Sequence, residues 1–217
     1  CSSALEKDNR MGKRPPGDGE RFDLEPVDDQ RASKVPVYWT IKRRGSCREY
    51  ERDTLSFRKF STILDRSTRG FDADFRNENP GVQYNDLYII ANDIGEIPNG
   101  TYHYHPETNE LELLKEGDFR VESGHLALDQ QLGADAAVCC YFMSDVGEVC
   151  ERLGNRGYRV AQLEASLMGG NMYLGAYAHS DLGATGLTFY DDKVTSFFKP
   201  RAEGQTPMFL VTMGKPA

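Results

Sequence analysis

Hydrophobic positions along the chain fall into two regimes. From residue 1 to residue 34 they are sparse and scattered among charged residues, Pro and Gly, as in Arg14-Pro15-Pro16-Gly17-Asp18-Gly19. Such a stretch cannot bury enough apolar surface to offset its ordering entropy, and it reads as a charged flexible arm or linker. Periodic patterning begins near Val35, so a single domain is expected over 35–217. Phe57, Phe60, Ile63 and Leu64 lie on one stripe of a helix from Thr54 to Gly70, with Thr54 or Ser56 as its cap. Asp86 to Asn92 is nearly continuous and β-prone, Pro98-Asn99-Gly100 is a turn, and strands return over Thr101 to His105 and Leu111 to Leu114.

Further on, Glu122 to Leu132 reads as a helix closed by Gly133, and Ala136 to Met143 as a buried strand. Ser144 is placed to cap a helix ending at Leu153, with Gly154 as its stop. Tyr158 to His179 is the longest helical pattern and is rich in Ala and Gly, which lets a helix or a flat ligand come close to its backbone. Asp191 is placed to cap a last helix carrying Val194, Phe197 and Phe198, and Pro207 to Met213 is a final strand. The order predicts an α+β fold with a mixed, mostly antiparallel sheet packed by helices.

Charge narrows the function. The chain has 217 residues, with 26 Lys and Arg against 34 Asp and Glu, a formal net charge of −8. An acidic chain with no basic block is poorly suited to nucleic acid, because neutralising phosphates needs clustered cations. The longest strictly apolar run, Ala136 to Met143, is far short of the roughly 20 residues that span a bilayer. Five cysteines without a C-x-x-C pair give no zinc or disulfide framework. Cys139 and Cys140 fall in the apolar strand, point to opposite faces and read as buried free thiols, which fits a reducing, cytoplasmic setting.

Candidate chemistry is dispersed. G-x-S-x-G, H-E-x-x-H, the P-loop and G-x-G-x-x-G are all absent, and no catalytic residue is assigned. His103 and His105 share one face of a strand, but the sequence places no third ligand; they read as a solvated hairpin rather than a metal site. Lys42-Arg43-Arg44-Gly45-Ser46-Cys47-Arg48 gathers cations and a hydroxyl of the kind that hold a phosphate monoester. Leu182-Gly183-Ala184-Thr185-Gly186-Leu187-Thr188 is a glycine-bearing connection that a planar ligand could approach, and the chain closes with Gly214-Lys215-Pro216.

Taken in order, these segments resemble the FMN-dependent nitroreductase superfamily, in its SagB-type, azoline oxidase-like branch. Arg44-Gly45-Ser46-Cys47-Arg48 looks like its N-terminal R-R-S-x-R segment, with Gly45 at the second Arg. Asn85 to Ile90 with Gly100 to Tyr104 looks like its first hairpin, and Asn155 to Ala165 like the start of its central helix. Leu182 to Gly186 and Gly214-Lys215-Pro216 complete a likeness that covers roughly residues 37–217. The resemblance implies FMN at a dimer or pseudo-dimer interface, with Arg44, Ser46, Arg48 and Lys215 on the phosphate and Gly186, Leu187 and Thr188 beside the flavin ring. It implies hydride from NADH, NADPH or the substrate itself, and a small-molecule or peptide substrate.

The sequence also departs from that pattern. Asn77 to Gln83, with Glu78, replaces a small hydroxyl-bearing flavin loop, and Arg152-Leu153 stands where azoline oxidases carry Lys-Tyr. Leu153 can neither give nor take a proton. The alternative is therefore a degenerate, flavin-free domain acting as structural partner of a catalytic half.

Overall fold

The computed structural model describes residues 13–32, 34–75 and 84–217. Its strands are β1 (Arg21–Asp23), β2 (Tyr50–Glu51), β3 (Asp86–Ala91), β4 (Gly100–His105), β5 (Glu110–Glu116), β6 (Val138–Ser144), β7 (Gly183–Gly186) and β8 (Thr206–Pro216). They form one sheet in the order β1-β5-β4-β3-β6-β8-β2, with β7 also on β8, and all these pairings are antiparallel. The helices are α1 (Asp29–Ala32), α2 (Val37–Arg43), α3 (Phe57–Thr68), α4 (Arg120–Leu126), α5 (Gln131–Asp135), α6 (Val146–Leu153), α7 (Arg156–Ala178) and α8 (Asp191–Phe197). This is the α+β architecture that the patterning predicts. Among the described residues no helix is long and apolar enough to cross a membrane.

The continuous apolar runs of β3 and β6 follow from burial on both faces. Leu87, Ile89, Cys140 and Phe142 face one core with α3 and α7, whereas Tyr88, Ile90, Cys139 and Tyr141 face a second with α8. The period-two alternation of strand side chains thus puts the two adjacent cysteines in different cores. In the first core α3 buries Phe57, Phe60, Ile63 and Leu64, the expected stripe, each worth roughly 1.5–3 kcal/mol when fully buried. The small residues of α7 serve the protein's own sheet. A Cβ on Gly169 would lie 2.6 Å from the Phe209 ring, so the helix rests directly on β8.

Three local expectations are revised. The helix expected over Glu122 to Leu132 is two helices, α4 and α5, separated by Leu128 and Asp129 at φ 57° and 56°. His125 and Tyr190 hold the Asp129 carboxylate at 2.7 and 2.9 Å and support that left-handed turn. The cap of α6 is Asp145, whose side chain accepts the Glu148 N–H at 3.0 Å, one residue beyond Ser144. The segment read as an arm is partly built into the sheet: β1 pairs with β5, and the Arg14 and Gly17 N–H groups donate to Asp86 and Glu112 at 2.8 and 3.0 Å.

Candidate functional site

Of the segments expected around a flavin, 44–48, the start of β7 and the end of β8 meet at one corner of the sheet. α2 ends at Arg43, and Arg44 leaves it in an extended conformation. Cys47 then turns inward and is buried, with its N–H donating to the Ala184 carbonyl of β7 at 3.1 Å. Gly183 sits so close that a Cβ there would meet Cys47 Sγ at 3.2 Å and Pro216 Cγ at 3.0 Å. Segment 44–48, the start of β7 and the end of β8 are therefore packed against one another. Arg43 fixes the segment from behind, donating to the Tyr177 and His179 carbonyls at the end of α7.

The side chains differ in availability. Arg44, Ser46 and Arg48 are exposed, and among the described residues neither guanidinium has an ion pair. The space beside Gly45 is open, with nothing within 4 Å of a Cβ built there. Lys215 is committed elsewhere: its Nζ lies 2.8 Å from Glu51 and 3.0 Å from Asp53. The hydrogen bonds to those carboxylates hold its ammonium well above the ordinary lysine range.

Along the other expected edge, Gly186 gives its N–H to the Tyr173 hydroxyl. Leu187 is half-buried and Thr188 exposed. The loop expected over Asn77 to Gln83 lies outside the described residues. Leu153 packs against the first core, and Arg152 pairs with Glu148 at 3.2 Å. Neither is arranged as a proton-transfer pair. Burial raises the Cys47 thiol above its ordinary range and lifts Cys139 to about 12, which disfavours the thiolate at both.

A second cluster arises where solvated histidines were expected. His103 and His105 are buried, with 1% and 3% of their surface exposed, and Glu112 lies across the hairpin from His103. One ligand-type atom from each of His103, His105 and Glu112 falls within 4.8 Å of the others. The missed signal is the hairpin register, which sets a carboxylate two residues into β5 opposite the first histidine. The group is wired internally. His105 Nε2 is 2.7 Å from Glu112 Oε2, Arg201 is 3.0 Å from the same oxygen, and the Gly17 N–H donates to it at 3.0 Å. His103 Nε2 faces Asp86 at 3.2 Å, and Gln205 donates to that carboxylate at 2.5 Å.

Burial pushes the Glu112 carboxyl up, but the Gly17 N–H, His105 and Arg201 more than offset it and leave it below its ordinary value. Asp86 is lowered in the same way, with His103 as the main opposing partner to burial. Burial and the neighbouring His103 lower His105, against the pull of Glu112. The Arg201 guanidinium already supplies a cation on Glu112, so these groups form a buried ion network that clasps the segment before β1.

No family model matches the sequence. The trifolitoxin operon protein TfxC of Rhizobium leguminosarum bv. trifolii is 29% identical over 123 residues, 55% of this chain and 33% of that protein. A structure assigned as a nitroreductase from Anabaena variabilis superposes with a TM-score of 0.80 at 23% identity, covering 92% of this chain and 42% of its own. One from Ralstonia eutropha gives 0.72 at 23% identity and covers 95% of both chains. A chain of the Escherichia coli microcin synthetase McbBCD complex with truncated pro-MccB17 bound gives 0.67 at 16% identity, covering 99% of this chain and 81% of its own. The present chain thus spans a third of the curated relative and less than half of the Anabaena chain. Its order of strands and helices, together with these likenesses, identifies the fold as that of the nitroreductases, the one its sequence motifs resemble.

Proposed function

We propose that this chain is an FMN-dependent oxidoreductase of the nitroreductase, SagB-type class, with the flavin phosphate held by Arg44, Ser46 and Arg48. The observation that carries the reading is the pair of exposed guanidiniums without ion pairs, on a backbone that Cys47 pins to β7. Charge-assisted contacts to a phosphate are about twice as strong as neutral ones, and an Arg fork matches its geometry. Bound FMN supplies the two-electron redox chemistry, with NADH, NADPH or the substrate as donor. The chain's part is to neutralise the phosphate with Arg44 and Arg48, donate to it from the Ser46 hydroxyl, and orient the ring edge with the Leu187 and Thr188 backbone. Lys215 joins the phosphate only by leaving Glu51 and Asp53.

A two-subunit site, as homodimer or pseudo-dimer, fits the exposed apolar residues Val37, Tyr38, Trp39 and Ile41 on α2 and Leu163 and Leu167 on α7. Depletion of charge and enrichment in aromatics are marks of interface cores. The likeness to the microcin synthetase complex supports a peptide substrate and a partner chain.

A second reading, a flavin-free structural partner of a catalytic half, is favoured by Gly186 spending its N–H on Tyr173 and by Leu153 packing in the core. Reconstitution with FMN followed by desalting separates the two. Retained flavin absorption supports the oxidoreductase; a folded protein that stays colourless supports the structural partner.

A further inference from the structure

Beside β5, with β4, β3 and β6 between it and β8, a cavity of about 800 Å³ opens. It lies between the segment before β1, which contributes Arg14, the β4–β5 hairpin, which contributes Lys115, and the connection from α8 to β8, which contributes Lys199 and Arg201. This volume is within the roughly 300–1,000 Å³ of small-molecule sites. Four cations and one carboxylate, Glu203, line it, and Arg14 and Arg201 also reach Asp145 at 3.8 Å and Glu112 at 3.0 Å. Phe197 and Phe198, with ring centroids 5.1 Å apart, add an apolar wall.

The cations are supported by the fold. Arg201 is held by Glu112 at 3.0 Å and donates to the Pro15 carbonyl, and its buried Nε has no hydrogen-bond partner among the described residues. Arg14 donates to the Glu203 carbonyl, and Lys199 pairs with Glu203 at 3.3 Å. Lys115 lies over the Phe119 ring at 5.3 Å and has no ion pair among the described residues. Its ammonium is thus a positive charge with no carboxylate to neutralise it, on the rim of a cavity with aromatic walls.

We propose that this cavity binds a phosphate monoester with an aromatic or other apolar body, at a site separate from the flavin corner. Glu112, Asp145 and Glu203 match Arg201, Arg14 and Lys199, which leaves the Lys115 ammonium as the charge that draws an anion in beside two guanidinium forks. The Phe197 and Phe198 wall takes the apolar portion. The proposal stands whether or not FMN binds at Arg44 and Arg48.

The test is isothermal titration of the purified full chain, parent and Arg44→Ala, with phenyl phosphate, inorganic phosphate and phenol. Phenyl phosphate should bind, more weakly as salt is raised, and Arg44→Ala should bind it as tightly as the parent. Inorganic phosphate should bind at least tenfold more weakly, and phenol not measurably. Lys115→Met, which breaks no ion pair, should weaken phenyl phosphate at least tenfold, and Phe197→Ala several-fold. The proposal is overturned if the folded protein does not bind phenyl phosphate, or if Lys115→Met binds it as well as the parent. It is equally overturned if Arg44→Ala abolishes phenyl phosphate binding, which would put the anion in the corner at segment 44–48.

Discussion

The two regions where this acidic chain concentrates positive charge behave in opposite ways. In the corner formed by segment 44–48, β7 and β8, Arg44 and Arg48 are exposed, with no carboxylate to hold them among the described residues. Around β4 and β5, Arg201 is tied to Glu112 and the histidines beside it are matched to Glu112 and Asp86. The first region keeps its guanidiniums available on a fixed backbone, as an anion site requires. The second spends Arg201 on architecture, closing a buried network over the segment before β1. Residue type alone does not separate these roles; the position of the nearest carboxylate does.

The sharpest way to break this contrast is to remove the carboxylate. Glu112→Leu strands Arg201, His105 and the Gly17 N–H around an apolar side chain. Breaking one partner of a buried pair costs about 3–5 kcal/mol, and the loss should appear in urea unfolding. Next comes Gly19→Ala. A Cβ there would lie 2.2 Å from the Leu113 carbonyl oxygen, so the segment before β1 must lift. The expected cost is about 1–3 kcal/mol, with faster proteolysis within residues 13–21 than in the parent.

Lowering pH acts on the same network. His105 sits below its ordinary 6.5, Glu112 below 4.5 and Asp86 below 3.8. For each the folded state binds its proton less readily than the unfolded chain, so each contributes stability at higher pH that is lost as pH falls. Urea midpoints should therefore decline as pH drops below 6.5, where His105 begins to titrate in the unfolded chain, and again below 4.5 as the carboxylates protonate. Glu112→Leu should flatten the lower part of that profile.

The smallest stability effect belongs to the exposed helix. Trp39 is 62% exposed, so Trp39→Asp should change unfolding free energy by no more than about 0.5 kcal/mol. If α2 is an interface, the same variant should shift the sedimentation profile toward monomer.

Much of the fold was legible because its signals are local. The apolar runs of β3, β6 and β8 report burial on two faces, and the Phe57, Phe60, Leu64 stripe reports one. The break between α4 and α5 was not legible, because its left-handed turn is sustained by Tyr190, 61 residues away. The anchoring of the charged arm was hidden for the same reason: Gly17 reaches Glu112 across 95 residues by a backbone N–H that carries no sequence mark. Segments 44–48, 183–186 and 214–216 were visible as separate motifs, and folding packs Cys47 against Gly183, Ala184 and Pro216. The commitment of Lys215 to Glu51 follows from the register of a two-residue strand, β2, that no periodicity announces.

The central claim is that Arg44 and Arg48 hold a flavin phosphate, and a fluorescence titration of the full chain with FMN tests it directly. The account predicts saturable quenching in the parent, about tenfold weaker binding for Arg44→Ala, a loss of about 1.4 kcal/mol, and no change for Lys115→Met. A folded parent that does not bind FMN, or an Arg44→Ala variant that binds it as tightly as the parent, would contradict it.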